Sequence, residues 1–573
     1  MKGYRIGLIL IFLILLGTTV IGRLFYLQVW RGSYYRALAR GQQKFFSASA
    51  GERGEIFFAG GQILATSSVR KFIYVSPREI KEPDKAKKAL SQILDLDEIL
   101  VEEKLSQDSP YEFVKNKATE AEAEKLQRLQ IAGIYIGEER VRVFPQGTMA
   151  SQTIGFVDSE KQGQYGLEGF YQDILKGKEG TLEGEKGAGG FLISFSSPNE
   201  MEKGSDLILT LDYQIQFEAE KLLAKAKENL EFESGTIIAV RPDSGEVLAL
   251  ASYPNFDPNN YGQEKDLEIF QNPAIQKIFE PGSVFKPLTM AAAIEEGKIT
   301  PQTTYVDEGV VRIGQTPIYN YDQRTWGERT MTEVLEKSIN TGAVFAEQQL
   351  GSELFLRYLE KFGFFAKTDI ELQGEVFSQN KEFKKGYEIN FATAAFGQGI
   401  EITPIQLIRA FSALANGGKL VSPHLVKKII TRSDISGVPP AIDRNGQKIS
   451  PATSSEVTEN IISPRTSSQV VSMMTSVVEN GFGKKAKIPG YFVAGKTGTA
   501  QVSWGALDVT KPGYSDKTIQ SFVGFAPAFN PKFLILVKLD NPRAKTAEYS
   551  ALPIFHDLAK YIIDVWQIPP DYP

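Results

Sequence analysis

The sequence predicts an α+β protein: strands from both ends of the C-terminal part with helical segments between and after them, preceded by a transmembrane helix and a solvated α+β region. Three observations predict this. The 17 residues from Ile6 to Gly22 carry no charge. Apolar, β-rich runs occur at 236–240 and 246–251 and again at 521–525 and 533–539, so strands come from both ends of the C-terminal part. Residues 84–94, 118–129 and 554–563 carry helical spacing, the last as an apolar stripe of Ile554, Leu558, Ile562 and Ile563 suited to a closing helix.

At the N-terminus, Lys2 and Arg5 precede the uncharged run. Its length falls at the short edge of the about 17–25 residues that span a bilayer. It is longer than a signal-peptide core and no Ala-x-Ala-like site follows, so the reading is an uncleaved anchor. Phe25, Tyr26 and Trp30 fit an interfacial belt, and the short basic start places residues 1–5 in the cytoplasm and everything after the anchor outside the cell membrane, although Arg23 and Arg31 weaken the asymmetry. With 573 residues, 42% of them hydrophobic and 23% charged, the chain is ordinary globular material with room for several cores. A net charge of −5 and a pI near 5.6 argue against a nucleic-acid binder. No cysteine is present, which excludes a cysteine nucleophile, disulfides and cysteine lipidation.

The expected domains are the anchor at 6–22, a stalk and pedestal at 23–205, and a catalytic unit at 206–573. Residues 23 to about 51 read as a helical stalk, with Leu24, Leu27, Tyr34, Leu38 and Gln42 in mixed spacing. Lys71 to Val75 alternate like a strand. Leu207 to Asp212 read as a strand leading into a helix that aligns Ile215, Ala219, Leu222 and Leu223, with Thr210 and Asp212 supplying its start. Pro242-Asp243-Ser244-Gly245 is a hairpin signal.

Ser283 is the candidate nucleophile. A serine hydroxyl needs a base, and with only His424 and His556 in the chain lysine must be considered. If a helix begins at Ser283, then Ser283 and Lys286 share a face within hydrogen-bond reach, and burial among Phe285 and Leu288 with the helix dipole would push the lysine toward the range useful to a general base. The same Ser-x-x-Lys spacing occurs at Ser68 with Lys71 and at Ser378 with Lys381, and on its own it equally describes a capped helix whose lysine points to solvent. Two further groups follow in order: Ser338-Ile339-Asn340, and Lys496-Thr497-Gly498-Thr499. Each alone could be a turn, a cap or a hairpin.

Together the three groups resemble the signature of penicillin-binding proteins and class A β-lactamases. Arg53-Gly54-Glu55-Ile56, Arg142 to Gly147 and Gly166 to Gly169 extend the resemblance to the non-catalytic pedestal of class B, monofunctional penicillin-binding proteins, and Ser252 to Asn259 and Phe396 to Pro404, read as structural or cleft-lining, extend it through the catalytic half. Phe57 to Gly61 stand where that family usually has an Asp-Arg-x-Gly turn. No histidine precedes His424, which sets the chain apart from bifunctional relatives. The resemblance implies a penicillin-binding, serine β-lactamase-like transpeptidase fold, an antiparallel sheet with helices packed on it plus a helical subdomain beside it, behind an elongated α+β pedestal, and a peptidoglycan D,D-transpeptidase. Ser283 would attack the D-Ala-D-Ala carbonyl of a stem peptide, Lys286 take the proton, Ser338 relay it to the leaving amine, and Asn340 hold Lys286 and the substrate amide. Lys496, Thr497 and Thr499 would pair with the substrate carboxylate, Gly498 would leave room beside the backbone, and the N–H groups of Ser283 and Thr499 would form the oxyanion hole. Implied partners are stem peptides, β-lactams, the membrane through the N-terminal helix, and a membrane glycosyltransferase; neither a cofactor nor a metal is called for. The Ser521 to Pro527 run and the Ile568-Pro569-Pro570 ending resemble division transpeptidases more than elongation ones. A D,D-carboxypeptidase or β-lactamase, or a non-catalytic β-lactam sensor or assembly module, are the alternatives.

Overall fold

The computed structural model of the chain describes residues 2–31, 44–49, 51–177, 180–186, 192–196, 202–381, 383–431, 460–507, 509–511 and 513–573. Residues 1–54 and 176–204 form one compact unit, and residues 55–175 and 205–573 form another.

In the first unit a helix runs over Lys2–Phe25 and continues as one π turn over Tyr26–Trp30. Leu10, Phe12, Leu15 and Ile21 are all more than half exposed, and Leu10–Val29 is long and apolar enough to cross a membrane. The hydroxyls of Thr18 and Thr19 donate to the carbonyls of Ile14 and Leu15 at 2.7 and 2.8 Å, so neither would be left unpaired in a hydrocarbon layer. The helical stalk expected to about Gly51 is corrected here. Lys44–Ser49 is a strand, paired antiparallel with Gly180–Lys186, which also pairs with Leu192–Ser196. Its Phe45-Phe46 pair suits a pleated surface better than a helix. Tyr34, Leu38 and Gln42 lie outside the described residues.

The second unit holds two principal sheets. One is six-stranded: Val426–Ile430, Asp206–Leu209, Ile56–Phe57, Ile63–Val75 and Glu112–Ala118 follow one another, and Ile134–Val143 also pairs along Ile63–Val75. The strand expected near Asp206 thus forms, with partners that lie in this sheet. Pro83–Leu94, Glu98–Leu105 and Glu120–Leu129 are helices. Leu90, Leu94, Val101 and Leu126 from them bury against Ile73 and Val75. Thr119 and Glu122 close a capping box at the start of the third. Phe58, in the stretch that departs from the family turn, is fully buried with its ring edge-on to Tyr213.

The other sheet organises the catalytic half. Helix α1 (Tyr213–Leu230) is capped by Asp212, whose carboxylate accepts from the N–H groups of Gln214 and Ile215. Thr210, expected to share that cap, instead donates to the carbonyl of Val247 at 2.7 Å. Strands β1 (Ser234–Val240) and β2 (Val247–Tyr253) form the predicted hairpin. Helices α2 (Lys286–Glu295), α3 (Asn340–Leu350) and α4 (Pro464–Asn480) follow. Then come β3 (Ala494–Ser503), β4 (Tyr514–Ala526), β5 (Phe533–Asp540) and the closing helix α5 (Ala551–Val565). The order is β2-β1-β5-β4-β3, antiparallel throughout.

Both faces of this sheet are buried, and the pleat divides the strand residues between two cores. Ile237, Ala239, Phe522, Ile535 and Val537 pack with α1 and α5, while Ile238, Val240, Val523, Leu534 and Leu536 pack with α2 and α4. Each fully buried large side chain contributes about 1.5–3 kcal/mol, and the double burial explains why these strands read as continuous apolar runs. The strand β3, at the sheet's edge, keeps one side free for other elements.

Candidate active site

Ser283 lies in a single 3-10 turn, Gly282–Phe285, and α2 proper begins at Lys286. This differs from a helix starting at Ser283, and it brings the pair closer, because residues three apart eclipse in a 3-10 turn. Lys286 Nζ lies 3.0 Å from Ser283 Oγ. The turn is pinned on two sides. Gly282, with φ of 61°, donates its N–H to the carbonyl of Gly397 at 2.9 Å, and a Cβ at Gly397 would come within 2.1 Å of the Gly282 carbonyl. On the other side Gly282 abuts Ala500 of β3. The Phe396 to Pro404 stretch therefore buttresses the turn: Gly397 backs Gly282, Ile402 exchanges both backbone hydrogen bonds with Phe279, and the Gly399 N–H holds the buried carboxyl of Glu280.

Lys286 has no exposed surface. Besides Ser283 it meets the carbonyl of Ser338 at 2.6 Å, Asn340 Oδ1 at 2.8 Å and Ser338 Oγ at 3.2 Å. Ser338 sits in the turn between the helix Met331–Glu336 and α3 with φ of 55°, a left-handed conformation that is strained for a serine. It presents both its carbonyl and its hydroxyl to the lysine. From the opposite side Lys496 Nζ donates to Ser338 Oγ at 3.0 Å and to the Thr497 carbonyl at 3.0 Å. One hydroxyl therefore bridges two lysines.

Both amines are fully buried and, among the described residues, no carboxylate contributes to the surroundings of either. Burial, then the charge of Lys496, holds Lys286 well below the ordinary lysine range. Burial alone pulls Lys496 down to about 7. Two unpaired ammonium groups cannot share such a pocket without a large desolvation cost, so burial favours the neutral amine at Lys286. Ser283, Ser338, Asn340, Thr497 and Thr499 are partly exposed around this buried pair, which leaves the hydroxyls reachable and the bases dry.

Lys496, Thr497, Gly498 and Thr499 lie consecutively on β3. The alternation predicted for them holds, with Lys496 and Gly498 buried and the two threonines half-buried. A Cβ at Gly498 would meet Ser521 Oγ at 2.7 Å, Val284 Cγ1 at 2.9 Å and the Pro281 carbonyl at 3.1 Å. The space it leaves is occupied by the Ser283 turn itself. Thr499 Oγ1 accepts from the Ala547 N–H at 3.3 Å.

The remaining sequence signals fall elsewhere. Ser68 and Lys71 lie on a strand of the six-stranded sheet, and Ser378 Oγ meets Glu401 at 3.2 Å. His424 contacts the Ser422 carbonyl, and His556 sits beside Asp557 on α5. Asn259 grips both the N–H and the carbonyl of Phe144 at 2.9 Å, and Arg142 forms a buried ion pair with Glu168 at 2.7 Å. Two of the motifs read as pedestal are joined by that pair, and Asn259 ties the first of them to the Ser252 to Asn259 stretch. Sequence reasoning missed the residues behind Asn340. Its Nδ2 donates to the Tyr319 carbonyl at 3.0 Å, and its N–H to Asn320 Oδ1 at 3.0 Å. No spacing rule marks either residue.

The family model for the penicillin-binding protein transpeptidase domain matches residues 235–560, and that for the penicillin-binding protein dimerisation domain matches residues 48–209. Stage V sporulation protein D of Bacillus subtilis is 32% identical over 550 residues, covering 94% of this chain and 82% of that protein. A peptidoglycan D,D-transpeptidase FtsI homolog of Mesostigma viride is 30% identical over 598 residues, covering 99% and 97%. The structure of penicillin-binding protein 3 from Mycobacterium tuberculosis, complexed with aztreonam, superimposes with a TM-score of 0.68 at 25% identity, covering 92% of this chain and 99% of that one. With the transpeptidase model spanning most of the catalytic half and the dimerisation model ahead of it, the chain belongs to the class B penicillin-binding proteins.

Proposed function

We propose that this chain cross-links peptidoglycan stem peptides as a serine-type D,D-transpeptidase, and that Ser283 carries the acyl group. The observation that supports this most directly is the 3.0 Å contact between Ser283 Oγ and the buried, charge-depleted amine of Lys286. A neutral lysine amine has two protons and one lone pair. The Ser338 carbonyl and Asn340 Oδ1 take the two protons, which aims the lone pair at Ser283 Oγ. In this reading Ser283 attacks the carbonyl of the penultimate D-alanine and its proton passes to Lys286. Ser338 Oγ, between the two lysines, relays a proton to the departing D-alanine amine. The amine of a second stem peptide then attacks the acyl-serine and regenerates the hydroxyl. The N–H groups of Ser283 and Thr499 receive the developing oxyanion, an effect of about 2.7–4 kcal/mol per donor. Lys496 with Thr497 and Thr499 binds the substrate carboxylate, which would restore the Lys496 charge, and Gly498 lets the strand lie against the turn.

The same reading gives the chain an anchor at 6–22 with residues 1–5 cytoplasmic, a stalk and pedestal at 23–205 and a catalytic domain at 206–573 outside the membrane. A role in division follows from the FtsI-type relatives, and work beside a membrane glycosyltransferase would supply the glycan strands to be joined. The test is intact-mass spectrometry of the detergent-solubilised chain after exposure to a penicillin, with peptide mapping. A stable adduct on the Ser283 peptide, absent in Ser283→Ala, is the expected result. Intact penicillin and no adduct would overturn the reading, and penicillin consumed without an adduct would replace it with a hydrolase.

A further inference from the structure

Helix α3 starts without a local cap. Ile339 stands at its N-cap position and offers no side-chain acceptor, so the first N–H groups of the helix must be satisfied from elsewhere. Asn320 supplies the acceptor. Its Oδ1 receives the N–H of Asn340 at 3.0 Å and of Thr341 at 3.1 Å. Its Nδ2 donates to both oxygens of Asp307 at 2.9 Å and to the Arg324 carbonyl at 3.0 Å, so the amide cannot turn over without facing donor to donor. Asp307 is 1% exposed and also receives Trp326 N at 2.7 Å, Gly309 N at 3.1 Å and Thr341 Oγ1 at 2.6 Å. Every oxygen of this buried carboxylate is occupied, as a buried charge requires.

The neighbouring residue completes the grip. Asn340 Nδ2 donates to the Tyr319 carbonyl at 3.0 Å, which leaves Oδ1 as the end that faces Lys286. Tyr319 and Asn320 thus hold Asn340 by side chain and main chain at once. We infer that Asn320, locked from behind by Asp307, is a positioning residue for the acyl-transfer reaction, fixing Asn340 so that the Lys286 lone pair points at Ser283. The inference rests on the reading of Lys286 as the base.

The clamp is not merely a helix cap. A cap could be satisfied by any acceptor at the N-terminus of α3, whereas Asn320 fixes the Asn340 backbone beside the Tyr319 carbonyl, and that carbonyl sets which atom of Asn340 meets the lysine. The two roles separate in their dependence on pH. In Asn320→Asp the introduced carboxylate still accepts both N–H groups, but it opposes Asp307, and two carboxyls at hydrogen-bond distance must share a proton. At low pH the shared proton rebuilds the bridge. As pH rises and it is lost, the like charges separate and Asn340 is released.

The experiment measures the second-order rate of acylation of the full-length, solubilised protein by a fluorescent penicillin across pH, with a thermal melt of each variant. Asn320→Ala is expected to acylate about 100-fold more slowly, the effect of a displacement near 1 Å at a reacting group. Asn320→Asp is expected to approach the wild-type rate at acid pH and to lose it on the alkaline side, where the wild-type protein keeps its rate. A folded Asn320→Ala within about threefold of wild type, well short of a tenfold step, overturns the inference, and so does a folded Asn320→Asp whose profile runs parallel to the wild type. Wild-type protein that takes up no penicillin at any pH is a different result, since it removes the base on which the clamp is supposed to act.

Discussion

Two pairs in this chain share one spacing and none of its chemistry. Ser283 and Lys286 lie in a 3-10 turn entering a buried helix, while Ser68, exposed, and Lys71, half-buried, lie on a strand where they pair with Val141 and Glu138. On a strand, residues three apart point to opposite faces, so the second serine and lysine cannot meet. Lys71 instead binds Glu120 at 2.5 Å, and that hydrogen bond raises its pKa above the ordinary value. Lys286 has lost water without gaining a carboxylate, and its pKa falls. The element decides whether serine and lysine touch, and burial decides whether the lysine can accept a proton.

Removing each serine separates the two pairs most strongly. Ser283→Ala is expected to abolish the penicillin adduct, while Ser68→Ala and Ser378→Ala leave it at full yield by intact mass. Exchanging the lysines comes next. Lys286→Ala should slow acylation by about 10²–10⁴-fold, the usual contribution of a general base, and Lys71→Ala should leave the rate unchanged. The wild-type rate should rise with pH as Lys286 loses its proton, starting below the ordinary lysine range, and Lys71→Ala should follow the same curve in a stopped-flow titration.

A smaller effect is expected at the strand that faces the turn. Gly498→Ala would push a methyl group into Val284 and Ser521. A strain of about 1–3 kcal/mol should lower the melting temperature and slow acylation together, because the same contact seats the Ser283 turn on β3. The smallest concerns the pH dependence of stability. Lys496 titrates near 7 when folded and near 10.5 when unfolded, so between those values the unfolded chain binds the extra proton and stability rises with pH, by up to about 1.4 kcal/mol per pH unit. Lys496→Met should remove its share of that slope in denaturant melts, leaving the share of Lys286, whose pKa is lowered as well. Lys71→Met should leave it intact over the same interval, since a raised pKa places the loss of its contribution above the window.

The catalytic sheet was legible because its strands are buried on both faces and are separated by strong breakers such as Pro242 to Gly245. The site was legible because serine and lysine are costly to bury and the three groups recur together. What was not legible depended on distant partners. Thr210 looks like a cap until β2 arrives and its hydroxyl turns to Val247. Lys44 to Ser49 continue a helical reading until a strand near residue 180 pairs with them. Asp307 and Asn320 are ordinary turn residues in sequence, and only the fold brings them behind Asn340. The 3-10 turn at Ser283 leaves no mark either, because Pro281 and Gly282 suit a helix start equally well.

The catalytic sheet is stitched across almost the whole catalytic half: Ser234 bonds Asp540, 306 residues later, and β5 lies between β1 and β4. A nascent chain grown as far as Ala500 already contains Ser283, Lys286, Ser338, Asn340 and Lys496, yet β3 has no neighbour to pair with. Lys496 therefore waits on an unpaired strand until β4 is made. The sheet closes only when β4 and β5 join it, and the long reach of that pairing makes the step slow. A fragment released before Phe533 would carry every motif and acylate nothing.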